Sequence, residues 1–383
     1  MGPKSKKEYA ASIKMRYQKA SKTEKQKILD EFCAVCNYNR KYAIRLLNAK
    51  ELSTINIACK KRGRKVKYSD PEILETLLYL WKKTNLPCSK NLKAIIPIWL
   101  PYYPFPLSDS VYNDLLQISP ATIDRLMKPG RAKFTKQGLA TTKPGSILKK
   151  HIPVKTNQWD ETVPGYLEAD TVAHCGTSVE GQFVYTVNTV DIATGWTEQR
   201  AIWGKGERGT LQAIDNIEHS LPFKLLGFDC DNGSEFLNWH LYGHFVNRDK
   251  PIRFTRSRAY QKNDNAHIEE KNWTHVRQYL GYERFEKIEL VDMMNQLYTT
   301  EWRLYFNFFI PSVKLLEKKR VGSKIIKKYD KPKTPYQRLV ESDFIDQSTK
   351  SKLTKQFYAL DPFFLQKTMV GKINRIQRTA LQK

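Results

Sequence analysis

"FDCDNGSEF", Phe228–Phe236, places three acids and a glycine turn in the middle of a very basic chain. Asn-Gly is turn chemistry, because both residues tolerate positive φ, and an aspartate beside them bonds its own backbone. Upstream, "FKLLGFDCD" reads as a short apolar strand, so Asp231 stands at a strand's carboxyl end. A calcium loop is excluded: counted from Asp229, the glycine comes one position early, and the twelfth residue is His240 rather than a bidentate glutamate. The stretch is either a turn or one third of a metal site whose other ligands lie elsewhere.

Around it the chain alternates strands and helices. "GYLEADTVAHCG" and "GQFVYTVNTVDIATGW" are two β runs separated by a Gly/Ser turn, and "WTEQRAIWG" is a third. A helix, "GERGTLQAIDNIEHSL", precedes the fourth strand, and Ser234 is positioned to cap "SEFLNWHLYGHFV". "PIRFTRS" is the fifth strand, and "NDNAHIEEKNWTHVRQYLGY" opens a long helix with Asn263 or Asp264 at its cap. The order βββαβαβα puts Asp170 inside the first strand and Asp231 after the fourth. Two acids compete for a third place, on the last helix. Glu269 shares a helical face with Trp273, Val276 and Leu280, the face expected to pack on the sheet, whereas Glu270 points aside with Lys271 and Thr274.

"EAD" on the first strand, "DNGSEF" after the fourth and "DNAHIEE" on the helix resemble the DDE core of retroviral-type integrases and bacterial insertion-sequence transposases. The likeness spans Gly165 to Tyr282. Sixty residues separate Asp170 from Asp231, and 37 separate Asp231 from Glu269, the second gap slightly longer than the family's usual one. The family's basic residue seven places after the glutamate is here Val276, with Arg277 one further on, so Glu270 keeps a claim as the third acid. The resemblance implies a ribonuclease H-like α/β core, a mixed five-stranded sheet with flanking helices. It implies Mg²⁺-dependent cleavage and strand transfer, with two ions (Mn²⁺ able to substitute) held by Asp170, Asp231 and Glu269. The electrostatics agree independently: converging carboxylates repel unless cations neutralise them, and two hard divalent ions do so while serving in-line phosphoryl chemistry. Asp229, Glu235 and Asp264 read as turn or cap residues, Glu168 as a neighbour on Asp170's face. Asn265 and Asn272 are candidates for orienting the glutamate. His174 and His267 read as structural, Trp196 and Trp273 as core.

Net charge supports a polyanionic partner. The 383 residues carry 65 Lys/Arg against 39 Asp/Glu, a net of +26, yet Tyr166–Leu290 has 14 Lys/Arg against 18 Asp/Glu. Met1–Lys67 alone has 19 Lys/Arg against 5 Asp/Glu. Basic arms around an acidic centre suit a chain that holds a polyanion and uses cations for chemistry. "SKTEKQKILDEFCAVCNYNRKYAIRLLN" reads as two helices, with Ile28, Phe32 and Val35 as one apolar stripe and Tyr42, Ala43, Leu46 and Leu47 as the other. Arg40, Lys41 and Arg45 decorate the second, the layout of a helix-turn-helix reader or of a plain helical hairpin. "KKRGRKVK", Lys60–Lys67, is a phosphate-tracking linker with Arg62, Arg64 and Lys65 at a minor groove, or a basic tether. The expected domains are a helix-turn-helix region (1–59), a basic linker (60–68), a second helical DNA-binding region (69–130), an extended connector (131–164), the catalytic core (165–290) and a mainly helical basic C-terminal region (291–383). Within them, "SKNLKAIIPIWL" is a helix ending near Pro97, and "SPATIDRLMKPG" one stopping at Pro129-Gly130.

The six cysteines form no paired framework, and Cys33-x-x-Cys36 with Cys59 and Cys88 fits no common zinc finger, so a reducing compartment is expected. "AIIPIWLP", Ala94–Pro101, is too short and proline-broken to span a bilayer. The combined reading is an insertion-sequence transposase, cytoplasmic and nucleoid-associated. It binds double-stranded DNA at element ends and target, as at least a dimer, with Arg277 among the contacts. The rivals are a nuclease of the same fold that only hydrolyses, a DNA-binding regulator with an inert core, and, more weakly, an RNA-directed protein.

Overall fold

The computed structural model describes residues 1–49, 67–132, 161–230, 233–256 and 266–382. They fall into two compact units, Met1–Lys67 and Tyr68–Lys383.

The first unit holds α1 (Pro3–Lys19), α2 (Lys22–Cys36) and α3 (Arg40–Asn48). Ser21 and Glu24 form a capping box that starts α2, and Asn37 ends it in the left-handed region at φ 52°. Asn39 caps α3 by accepting from Lys41 N at 3.0 Å. Ala10, Tyr17, Ile28, Phe32, Cys36, Ala43 and Leu47 form the core. Two expected core residues face outward, Val35 and Tyr42, at 46% and 41% exposure. On α2 the inward strip runs through Leu29 and Cys36 in place of Val35, packed with residues of α1, a helix that the sequence reading did not anticipate. Burial pushes the Cys36 thiol up, as suits a structural cysteine rather than a metal thiolate. Cys59 lies outside the described residues.

The second unit opens with α4 (Pro71–Lys83), α5 (Ser89–Trp99), α6 (Asp109–Gln117) and α7 (Pro120–Arg131). α5 runs through Pro97 and α7 through Pro129, where the sequence suggested stops. In α5, buried Ile96, Ile98 and Trp99 hold the last turn in place despite the missing proline donor.

Next comes the sheet: β1 (Tyr166–Ala173), β2 (Val184–Asp191), β3 (Thr197–Trp203), β4 (Gly227–Cys230) and β5 (Arg253–Arg256). Its order is β3-β2-β1-β4-β5, antiparallel across β3-β2-β1 and parallel across β1-β4-β5. α8 (Glu207–Ser220) joins β3 to β4, and α9 (Trp239–Val246) joins β4 to β5. This is the mixed five-stranded sheet with flanking helices that the resemblance implies. α9 starts later than expected, because Asn238 rather than Ser234 caps it, accepting from Leu241 N at 2.9 Å.

Alternation along β1 divides its side chains between two cores. Leu167 and Ala169 join Val187, Ile214, Phe228 and Phe245 beneath α8 and α9. On the opposite face Val172 joins Trp99, Val276, Trp302 and Leu365 in a larger core. That core is completed by α10 (Ala266–Lys271), a π-helical turn (Asn272–Arg277) and α11 (Gln278–Leu280). α12 (Glu289–Leu297), a second π-helical turn (Tyr298–Trp302) and α13 (Arg303–Phe309) follow. α14 (Pro335–Glu341), α15 (Gln347–Tyr358) and α16 (Pro362–Leu381) close the chain. The helices of 71–131 thus share their core with the sheet and the C-terminal helices; Trp99 Nε1 donates to Phe309 O at 3.2 Å. The C-terminal region, expected to be mainly helical, also contains a hairpin, β6 (Leu315–Val321) and β7 (Lys324–Tyr329). The Gly322-Ser323 pair between runs holding β-branched Val321, Ile325 and Ile326 was the strand signal.

Candidate active site

Glu168, Asp170 and Val172 share one face of β1. Asp170 pairs in register with Asn188 on β2, and Asn188 with Gln199 on β3, so three polar side chains form a row across the sheet. Each is bonded to the next. Gln199 Nε2 donates to Asn188 Oδ1 at 2.9 Å, Asn188 Nδ2 to Asn272 Oδ1 at 2.8 Å, and Asn272 Nδ2 to Asp170 Oδ2 at 2.7 Å. Thr171 N donates to the other carboxylate oxygen at 2.7 Å. Asn188 and Gln199 are fully buried, and amides sunk this deep are held by their hydrogen bonds. The row ends on Asp170 and fixes its rotamer.

Asn272 therefore orients Asp170, where the sequence reading expected it to orient the glutamate. It opens the π-helical turn, a feature frequent at functional sites. The helix's inward face also differs from the expected one. Ile268, His275, Val276 and Leu280 are buried, whereas Trp273, expected in the core, is 43% exposed. Trp273 lies one α-helical turn after Glu269 and is exposed as Glu269 is, because the inward face begins one residue earlier, at Ile268. Glu269 and Glu270 are both exposed, at the C-terminal half of α10.

Glu168 is the acid that the sequence reading undervalued. It is fully buried, and its Oε2 accepts from Ile268 N at 3.1 Å, tying β1 to the start of α10. Burial pushes its carboxyl up to about 8, with Asp229 and Glu269 adding repulsion against the bonds from Ile268 and His267. Its Oε1 is buried without a hydrogen-bond partner. Asp229 is Glu168's register partner on β4 and accepts from Thr255 Oγ1 at 2.7 Å. Acidic groups from β1, β4 and α10 thus lie close enough to repel.

The opening stretch is held at both ends. Phe228 and Phe236 are buried with ring centroids 6.2 Å apart, and Phe228 packs on Phe245 at 4.9 Å. Glu235, expected to be a turn residue, is buried, and its Oε1 accepts from Thr171 Oγ1 at 3.0 Å and Lys205 Nζ at 2.7 Å. Burial pushes its carboxyl up, but the Lys205 and Thr171 bonds outweigh that and leave it lowered. Asp231 lies outside the described residues, as do Asn263, Asp264, Asn265, Arg62, Arg64 and Lys65. Cys230, just before Asp231 in the chain, is the register partner of Ala169, just before Asp170.

Arg277 is half-buried at the end of the π-helical turn. It donates to Ala173 O at 2.6 Å and lies over the Tyr282 ring at 4.9 Å, which fastens the helix to the end of β1. In the first unit Arg40, Lys41 and Arg45 are exposed on α3; Arg40 pairs with Asp30, and Arg45 stacks on Tyr42 at 5.4 Å. His174 is buried against Phe285 at 4.8 Å and held well down by burial, to about 3, as a neutral structural ring. Among the described residues no three His, Cys, Asp or Glu side chains cluster as a metal site, and no helix is long and apolar enough to cross a membrane.

The site belongs to an α/β chain that gathers acids on one face of a mixed sheet, against a π-interrupted helix. No family model matches the sequence. The chain belongs to the family of a Sinorhizobium fredii protein, "Uncharacterized protein y4rM", with which it shares 39% identity over 336 residues, 86% of this chain and 94% of that protein. Among solved structures, a simian T-cell lymphotropic virus intasome with a PP2A regulatory subunit aligns at TM-score 0.32 and 12% identity, over 60% of this chain and 70% of that one. The HTLV-2 integrase catalytic core with magnesium aligns at 0.29 and 16% identity, over 39% of this chain and 91% of that one. The BIV integrase core aligns at 0.28 and 13%, over 50% and 97%.

Proposed function

We propose that this chain is a DNA transposase or integrase whose ribonuclease H-like core cuts and joins DNA through Asp170, Asp231 and Glu269. The observation that carries the reading is the 2.7 Å bond from Asn272 to Asp170. It draws the helix bearing Glu269 to the strand bearing Asp170, and buried amides brace it from behind. Such bracing is what a reacting group requires and a surface acid does not.

The donors fit a hard divalent ion, since they are carboxylate oxygens, and one of them, Glu269, adds repulsion to the Glu168 carboxyl that burial pushes up to about 8. Asp170, Asp231 and Glu269 would hold two Mg²⁺ or Mn²⁺ ions, which when bound supply an activated attacking oxygen and a stabilised leaving one. The chain's own part is positional. Asn272 and Thr171 N fix Asp170, Glu168 anchors the first turn of α10, and Glu235 braces the turn after Asp231 against β1. α3, with Arg40, Lys41 and Arg45, would lie in a groove of the element end, and the basic linker with Arg62, Arg64 and Lys65 would follow the phosphates. Arg277 would contact DNA through its remaining donors. Bringing two ends together calls for at least a dimer.

The test is strand transfer from a pre-cut 3′-hydroxyl end with Mg²⁺ or Mn²⁺. Asp170→Asn, Asp231→Asn and Glu269→Gln should each keep duplex binding and lose joining by roughly 10²-fold or more, equal to at least ~2.7 kcal/mol of barrier. Normal joining by Asp170→Asn or Asp231→Asn would end the assignment, whereas loss in Glu270→Gln in place of Glu269→Gln would move the third ligand by one residue.

A further inference from the structure

The β6–β7 hairpin joins no hydrophobic core cluster among the described residues, and from Val321 to Tyr329 every residue is exposed. A lone two-stranded ribbon is marginal in water. Its base, however, is firmly tied. Lys314 N donates to Asp330 Oδ1 at 2.6 Å, Arg338 Nη2 donates to Asp330 Oδ2 at 2.7 Å, and Lys314 Nζ donates to Ala193 O at 2.8 Å. Ser312 and Lys333 exchange backbone bonds of 3.0 and 3.1 Å just below. The tip is a tight Gly322-Ser323 turn, with Gly322 at φ +59°. A rigid foot therefore carries a bare blade.

The charges on the blade follow the register. Arg320 pairs with Ile325 and Lys318 with Lys327, so Lys318, Arg320 and Lys327 occupy one face. Val321 pairs with Lys324, Lys319 with Ile326 and Glu317 with Lys328, so Lys319, Lys324 and Lys328 occupy the other. Each face has three cations. Among the described residues none of the six forms an ion pair with a carboxylate, although Glu317 stands opposite Lys328. Lys318 and Lys327 stand directly opposite each other, an arrangement that destabilises a free sheet. Partial burial and then Lys327 push the Lys318 ammonium down. Apolar Ile325 and Ile326, both 56% exposed, lie between the cations.

We infer that this hairpin is a DNA-binding ribbon that stands in the major groove of a duplex, each face turned to one phosphate wall. The dimensions agree. A sheet with its side chains is about 10 Å thick, and the major groove is ~12 Å wide and admits a two-stranded ribbon. Six residues of strand reach about 20 Å, enough to cross the groove. The like-charge pair is relieved by the polyanion. The inference rests on the reading of the chain as a DNA enzyme but adds a contact outside the acidic site and outside the N-terminal helices.

The experiment measures duplex binding by the full chain as a function of salt. Lys318→Ala/Arg320→Ala/Lys327→Ala should reduce the slope of log K against log salt by about 2–3, since each phosphate contact contributes ~0.9. Affinity near 150 mM salt should fall at least tenfold, and a photo-crosslinker at Ser323 should capture duplex DNA. An unchanged slope, or capture of single strands or RNA in place of duplex, overturns the ribbon. So does unchanged DNA binding with a shift in sedimentation showing that Ile325 and Ile326 join two copies. Metal-dependent cleavage by Asp170→Asn would refute the enzyme reading and leave the slope result standing, so the two failures are distinguishable.

Discussion

The β1–β3 polar row and the β6–β7 hairpin handle polar groups in opposite ways. In the row, Asp170, Asn188, Gln199 and Asn272 are bonded in sequence, two of them fully buried. On the hairpin, five of the six cations are exposed and Lys318 half-buried, and none forms an ion pair with a carboxylate among the described residues. Apart from Gln199 Oε1, the buried amide groups named in the row are bonded within it, and such bonds fix their geometry. Polar groups left in water keep their bonding capacity for a partner. The row should therefore matter to stability and to chemistry, the hairpin to binding alone.

The largest break in that comparison comes from the turn's apolar support. Phe228→Ala removes a buried ring beneath the turn and should cost about 3–5 kcal/mol by urea unfolding. A loss under 1 kcal/mol would mean that the Phe228, Phe236 and Phe245 cluster does not hold it.

Acid should come next. His174 and His275 are buried and held below the ordinary histidine value, His174 to about 3, by burial, and His267 to about 4 by burial and then Lys314 and Lys271. The unfolded chain binds protons near pH 6.5 that these rings refuse when folded, so stability falls as pH drops below 6.5. Glu168 and Asp191 are raised by burial and titrate in the opposing sense, holding protons in the folded state that the unfolded chain releases. Three rings against two carboxyls leave stability falling as pH drops from 6 to 5. Flat urea midpoints over that window would show that the histidines are not enclosed in solution.

Breaking the row itself is a finer cut. Asn188→Ala strands Gln199 and Asn272 and should cost about 1–3 kcal/mol. Under the proposed function it should also lower joining by roughly tenfold with DNA affinity unchanged, and Asn188→Asp should not restore it, because it removes the donor to Asn272. The smallest effect belongs to the hairpin. Ile325→Thr/Ile326→Thr should change stability by no more than about 0.5 kcal/mol, as for exposed positions generally. A larger loss would show the ribbon to be packed rather than bare.

Alternation in "GYLEADTVAHCG", the glycine-serine breaks and the caps were enough to read the order of strands and helices from Gly165 onward, because those signals are local. Less legible was everything that depends on partners distant in sequence. Glu235 looks like an ordinary turn acid until Lys205 and Thr171 are brought to it. The run "VYTVNTVD" shows a polar residue at Asn188, but only register with β1 and β3 gives it Asp170 and Gln199 as neighbours. A period-3.6 count from Glu269 sent Trp273 inward, whereas the packed face begins at Ile268 and leaves both exposed.

What the sequence by itself determined is the alternating strand-and-helix plan, the surplus of positive charge in the arms and the acidic centre, since composition and periodicity are properties of the chain. The tertiary structure alone decided that Glu168 is sunk and pushed up to about 8, that Asn272 serves Asp170, and that a bare basic ribbon rises from a clamped foot. Desolvation and directional hydrogen bonds exist only once distant segments meet, so no reading of neighbours along the chain could supply them.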